Sequence, residues 1–360
     1  MQNIVTSAIS FLILVKIPYF HIRKYITKWI KIMNRPYQNF RYLLPVLLLA
    51  FLGACNQIEE EPEPYSIVDT EQVLADLEYL ASDELEGRKT NTEGNRMAQE
   101  YIEERFEDLG LKMFGDSYRH LFDHSSPRSE EEFVDAVNLI AYVEGSTNPD
   151  RYIVVTAHYD HLGVREDEIY NGADDNASGT GGLMAAARHF TNVEPENSII
   201  FIALDAEEQG LGGARYFVDN PVVPLDQIVM NVNMDMISNN FENELYAVGT
   251  YHYPFLKPMI AESTADAPIN VLFGYDSDEW PQDWTMSSDH GPFHAKGIPF
   301  VYFGVEDHPH YHAPTDTYEN TNPDFYLMAV ETIIGVLEDL DTQLDDVVEA
   351  SEEMEAEPAE

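Results

Sequence analysis

Residues 205 to 210 read DAEEQG and directly follow SIIFIAL, an apolar run with the character of a buried strand. Asp205, Glu207 and Glu208 therefore stand where a strand leaves the core. Desolvated carboxylates cost several kcal/mol each unless they are paired, bind a metal or face solvent. Similar groups recur elsewhere. The run RYIVVTAH ends in His158, NGADDNASG carries Asp174 and Asp175, QIVMNVNMD ends in Asp235, and EDHPHYHAPTDTYEN carries His308, His310 and His312. Imidazole and carboxylate without thiolate, in at least five candidate groups, exceed what one metal ion needs and suit two ions that share a carboxylate.

These groups need a frame. TEQVLADLEYLAS and EGNRMAQEYIEERFEDLGLK carry apolar residues at helical spacing, with Thr70 and Thr92 in the cap regions. AVNLIAYVEG, RYIVVTAH, SIIFIAL, QIVMNVNMD, ELYAVGT, INVLFG and IPFVYFG read as strands. GTGGLMAAARHF, LGGARYFVDN and YPFLKPMIAEST read as helices between several of them. The alternation predicts an α/β three-layer sandwich, a mixed and mostly parallel sheet with helices on both faces. In such sheets ligands gather beyond the carboxyl ends of the strands, where His158, Asp205 to Glu208 and Asp235 all fall.

In this order the motifs resemble the co-catalytic dizinc aminopeptidase family, secreted bacterial aminopeptidases related to glutamate carboxypeptidases and glutaminyl cyclases. The resemblance spans residues 150 to 320, and YLASDELEGRKTNTEGNRMAQEYIEERFEDLGL before it is similar to the helical lead-in of the secreted bacterial members. It implies two Zn²⁺ per chain. His158 and Asp235 would hold one, Glu208 and His312 the other, and Asp175 would bridge them, followed by a cis peptide. Asp160 would hold the His158 imidazole. Asp174 would not ligate, Asp205 would serve local hydrogen bonding, and His308 and His310 match no family role. Glu207 is then free to act as general base beside a metal-bound water, and Tyr311 matches a phenol that hydrogen-bonds the oxyanion. SSDHGPF resembles a pocket segment, which assigns Asp289 and His290 to the substrate pocket; Asp289 could equally cap the helix that follows. The resulting expectation is a zinc-dependent exopeptidase acting on peptide N-termini. A carboxypeptidase or glutaminyl cyclase of the same superfamily and an inactive surface-binding lipoprotein are the alternatives. The complete ligand set argues against the cyclase, which needs one zinc, and against a dead scaffold. A carboxypeptidase would bind its substrate's carboxylate through Arg, for which the core offers Arg151, Arg165, Arg188 and Arg215.

The 360 residues carry 65 Asp+Glu against 20 Lys+Arg, a formal charge of −45 that excludes nucleic acid as a partner. The first 54 residues differ, with seven Lys or Arg and no Asp or Glu. From Met33 a short basic region leads into an apolar stretch ending LGAC, which resembles a lipobox with Cys55, the single cysteine, as the lipidated residue. The expected organisation is a signal region at 1–54 whose true start is Met33, a lipidated Cys and acidic linker at 55–66, the peptidase domain at 67–342 and an acidic tail at 343–360. Peptides and, through the lipid, the outer membrane are the expected partners, with the domain facing the periplasm or the cell surface.

Overall fold

The computed structural model describes residues 67–356. Cys55, the signal region and the linker lie outside them. The chain opens with two helices, α1 (Thr70–Leu80) and α2 (Glu93–Asp108). The Asp69 side chain caps α1 by accepting from the Gln72 amide at 3.2 Å, one residue before the expected Thr70. Thr92 caps α2 through the Asn95 amide at 3.3 Å.

Strands and helices then alternate. They run β1 (Arg119–Ser125), β2 (Glu132–Val143), β3 (Asn148–His158), the short pair β4 (Gly163–Arg165) and β5 (Glu168–Tyr170), α3 (Gly179–Asn192), β6 (Asn197–Leu204) and α4 (Gly212–Asp219). After these come β7 (Ile228–Met234), β8 (Glu244–Val248), α5 (Leu256–Ser263), β9 (Asn270–Phe273), α6 (His290–Ala295), β10 (Phe300–Gly304), α7 (Pro323–Thr342) and α8 (Leu344–Ala356). Eight strands form one sheet in the order β1-β2-β6-β3-β7-β10-β8-β9. The central β6, β3, β7 and β10 are parallel; β2 is antiparallel to β6 and β1 to β2 on one side, and on the other β8 is antiparallel to β10 while β9 runs parallel to β8. The expected α/β sandwich is observed.

Side-chain alternation explains the layers. Ile153, Val155 and Ala157 of β3 enter the larger core with Leu77 of α1, Ile102 of α2, Leu183 of α3 and Ile333 of α7. Tyr152 and Val154 point the other way, into the smaller core that Phe217 of α4 and Phe293 of α6 close. All eight residues of β6 are buried, as its unbroken apolar run requires. Several elements go beyond expectation, among them β4, β5 and the long α7, and two more have a clear physical reason. The strand β1, whose RHLFDHS mixes charge and apolar residues, pairs with β2 at the sheet edge. Residues 344–356, expected to begin an acidic tail, form α8, because Leu344 and Val347 are apolar enough to bury one face in the main core.

Candidate active site

The parallel strands β6, β3 and β7 end side by side, so the loops after them meet above one sheet edge. His158 closes β3, Glu207 and Glu208 lie in the turn after β6, and Asp235 follows β7. Two groups of ligand-type side chains form there and share Asp175: His158 with Asp175 and Asp235, and His161 with Asp175 and Glu208. His158 Nε2 is 3.4 Å from Asp175 Oδ1 and 3.3 Å from Asp235 Oδ1. His312 comes from the loop after β10, its backbone at φ 51°, and brings Nε2 to 3.0 Å from Asp175 Oδ2 and 3.2 Å from Glu208 Oε1. All five expected ligand residues thus converge. His161 joins them, its Nδ1 2.9 Å from Glu208 Oε1.

Surrounding residues hold these groups in place. The Asp160 carboxylate accepts from the amides of Glu207 at 3.0 Å and Glu208 at 3.4 Å. His158 Nδ1 is 3.1 Å from the Asp160 backbone carbonyl and 3.8 Å from its carboxylate, so the carbonyl rather than the expected carboxylate orients the imidazole. Asp205 is buried and accepts from Thr90, Asn95 and the Val137 amide, the local hydrogen-bonding role expected of it. Asp174 turns away from the ligands toward Ser238 and His308 Nε2, the latter at 2.9 Å. The peptide between Asp175 and Asn176 is cis. At Gly172, φ is 58° and a Cβ would lie 2.5 Å from the His161 ring and 2.1 Å from the Asp175 carbonyl oxygen, so only glycine fits.

Two further supports have no signal in the local sequence pattern. Asp316 receives the amides of Asp174 and Asp175 at 2.9 and 3.1 Å, which accounts for the aspartate of YHAPTDT. Arg88 is fully buried and donates to the carbonyls of Tyr159, Leu80, Asn171 and Gly172, tying α1 to both ligand loops. Burial lowers its pKa to about 10 against the pull of Asp316 and Asp175, so it remains a cation at neutral pH. EGRKTN in the lead-in was the only trace of Arg88 in the sequence.

The electrostatics suit cations. Burial and Asp175 push the Glu208 carboxyl up, yet His161 and His312 outweigh them and bring it to about 2. Burial lowers the His312 pKa, but Asp175 and Glu208 raise it to about 10. The carboxylates thus favour positive charge on His312, as they would favour a bound cation. The His161 ring is fully buried, its Nε2 has no hydrogen-bond partner, and its Nδ1 crowds with His312 Nε2 on the single oxygen Oε1 of Glu208, which fits atoms built to ligate. Nitrogen and carboxylate oxygen around a shared aspartate fit a two-zinc centre. Glu207 belongs to neither group, and burial raises its pKa well above the ordinary carboxyl value against the pull of His158, with Glu208, Asp289 and Asp235 adding to the rise.

A cleft of about 330 Å³ opens over Asp175, Glu207, Glu208 and Asp235, with Tyr311 and Trp284 in its walls. The Tyr311 ring stacks on His312 at 4.0 Å, and burial raises its pKa, with Asp175 and Glu208 adding to the rise. Asp289 and His290 are fully buried and absent from the lining, so the cleft wall comes instead from the preceding Trp284 and Ser287. Asp289 occupies the N-cap position of α6 without a side-chain cap bond. His290 is sandwiched between Phe300 and Tyr302, both at 4.7 Å, with Nε2 2.8 Å from the Trp284 carbonyl oxygen.

Residues 138–337 match the model of peptidase family M28. The chain belongs to that family. It is 35% identical over 185 residues to aminopeptidase YwaD of Bacillus subtilis, covering 48% of this chain and 37% of the relative. It is 28% identical over 228 residues to a glutamate carboxypeptidase 2 homolog of Caenorhabditis briggsae, covering 54% and 28%. The chain therefore spans only about a third of the length of these curated relatives. In structure it resembles a Zn-dependent exopeptidase of Parabacteroides distasonis, with a TM-score of 0.61 at 17% identity over 75% of this chain and 98% of the other. A glutaminyl cyclase of Bacteroides thetaiotaomicron scores 0.62 at 17% identity over 75% and 98%. At such identities these two likenesses establish the fold. No helix among the described residues is long and apolar enough to cross a membrane.

Proposed function

We propose that this chain is a zinc-dependent aminopeptidase that removes N-terminal residues from peptides. The observation that carries the proposal is that Glu207 lines the cleft beside two ligand groups sharing Asp175, yet belongs to neither. When bound, two zinc ions supply Lewis acidity and lower the pKa of a water at the site. His158 and Asp235 would hold one, Glu208 and His312 the other, with Asp175 between them; His161 stands close enough to compete for or support the second. Glu207 accepts the proton of the attacking water and delivers it to the amine nitrogen as the C–N bond breaks. The water oxygen ends on the acyl carbon, releasing an amino acid and a peptide with a new N-terminus. The Tyr311 hydroxyl, kept protonated by its raised pKa, donates to the oxyanion. Asp283 and Asp307 in the lining favour a substrate ammonium group, and the similarity to an aminopeptidase supports the same polarity.

The reading of residues 1–66 stands with this proposal: a signal region starting at Met33, lipidation at Cys55 and attachment to the outer membrane. Metal analysis and a panel of aminoacyl reporters beside N-blocked ones test the enzyme. About two zinc ions per chain and cleavage of free N-termini alone are expected. Cleavage confined to N-blocked substrates, or activity without a transition metal, overturns it.

A further inference from the structure

One cation reaches the acidic cleft from an unexpected element. Arg128, in the turn joining β1 to β2, lines the cleft, and it is the only Lys or Arg of that lining. Its position is built. Ser126 Oγ accepts the amides of Arg128 and Ser129, each at 3.2 Å, which shapes the turn. Pro127 packs on Gly210 so tightly that a Cβ there would fall 2.7 Å from its ring. His124 Nε2 lies 2.9 Å from the Gln209 carbonyl oxygen, and Arg128 Nη1 donates to the Glu208 carbonyl at 3.0 Å. The hairpin is thereby docked on the turn that carries Glu207 and Glu208.

Sheet order places this turn relative to the ligand groups. The hairpin belongs to the β1-β2 edge, the ligand groups follow β6, β3 and β7, and Asp307 follows β10 further along. Trp284 and Asp283 precede α6 and complete the wall beyond. One wall of the cleft is therefore cationic and the facing wall anionic, with the ligand groups between them. Among the described residues no carboxylate pairs with the Arg128 side chain, in a chain carrying 65 acidic residues. Its single bond to a backbone carbonyl leaves Nε and Nη2 available, and a guanidinium fork matches a carboxylate. The cleft, near the lower end of ligand-pocket volumes, suits a small substrate.

We infer that Arg128 forms the carboxylate subsite for the leaving half of the substrate, making the centre selective for short peptides, dipeptides first. The free C-terminal carboxylate of a dipeptide lies one residue beyond the scissile bond, and a substrate spanning the cleft would place its ammonium toward Asp283 and Asp307. This rests on the aminopeptidase reading above. Arg128 is exposed, so the preference is modest, on the order of tenfold in kcat/KM.

The test uses a dipeptide, the same dipeptide with an amidated C-terminus, and its N-acetylated form, with the full zinc-loaded enzyme. The free acid should exceed the amide about tenfold, chiefly through KM, and the ratio should shrink as salt rises. Arg128→Ala should bring the ratio near one and Arg128→Glu below one, whereas Arg128→Lys should keep part of it. A merely structural Arg128 would lower both substrates equally and leave the ratio unmoved, which overturns the inference while the aminopeptidase reading survives. Wild-type enzyme that cleaves both at one rate overturns it too. Cleavage of the N-acetylated dipeptide as fast as the free one, with the acid-over-amide ratio still dependent on Arg128, keeps the subsite and overturns the aminopeptidase reading.

Discussion

Glu207→Gln separates proton transfer from metal binding. The side chain is 6% exposed, among Glu208, Asp235 and Asp289, which with burial raise its pKa. An amide of the same shape removes one negative charge from that crowd and opens no cavity, so folding should survive with stability near that of the parent. What is lost is the acceptor for the proton of water. General base catalysis is worth about 10² to 10⁴ in rate, or about 3 to 5 kcal/mol of barrier. The expected result is kcat lowered at least about a hundredfold, KM within a few-fold, and zinc content unchanged by elemental analysis. Glu208→Gln, which alters a proposed ligand, should lose metal from one site. Two outcomes refute the reasoning: a Glu207→Gln enzyme within tenfold of the parent at full zinc content, or one that loses zinc and activity together.

Metal uptake should depend on pH in a definite direction. With its pKa at about 10 in the metal-free protein, His312 carries a proton at pH 7 that a zinc ion must displace, so affinity should rise with pH up to about 10. Calorimetry in two buffers of different ionisation enthalpy should find at least about one proton released on loading the chain with zinc; no net release contradicts it. Arg88→Ala leaves four buried carbonyls without their donor and should cost at least about 3 kcal/mol in chemical denaturation, with Arg88→Lys recovering a part. A loss below about 1 kcal/mol would show that water replaces the guanidinium. Cys55→Ser should release a soluble, active enzyme that fatty-acid labelling no longer marks; persistent label contradicts the lipidation site.

How much of this the sequence carried depends on the range of the interactions. Buried parallel strands need continuous apolar runs, so SIIFIAL and RYIVVTAH announced β6 and β3 directly. His158 and Asp235 stand at strand exits and Glu208 in the turn after β6, one local step from those runs; with Asp175 and His312 they were legible as candidate ligands, and the structure brings the five side chains together. Edge position hid β1, because a strand open to solvent on one side need not be apolar. Leu344 and Val347 seat α8 on the core, and an acidic composition obscured them. Asp289 and His290 read as pocket residues because chain proximity to Trp284 and Ser287 does not reveal which side chains turn inward.

The contacts of Arg88, His161, Asp316 and Arg128 join positions far apart in sequence. Arg88 lies 71 residues from Tyr159 and Arg128 lies 80 from Glu208. No period or local spacing encodes such a meeting, since it arises when separate loops descend on the same sheet edge. The sequence by itself determined which residues could bind metal and the layered fold that carries them. Tertiary structure alone decided which imidazoles flank Glu208, what holds the ligand loops, and that a hairpin arginine faces an acidic cleft, because those are consequences of strand order.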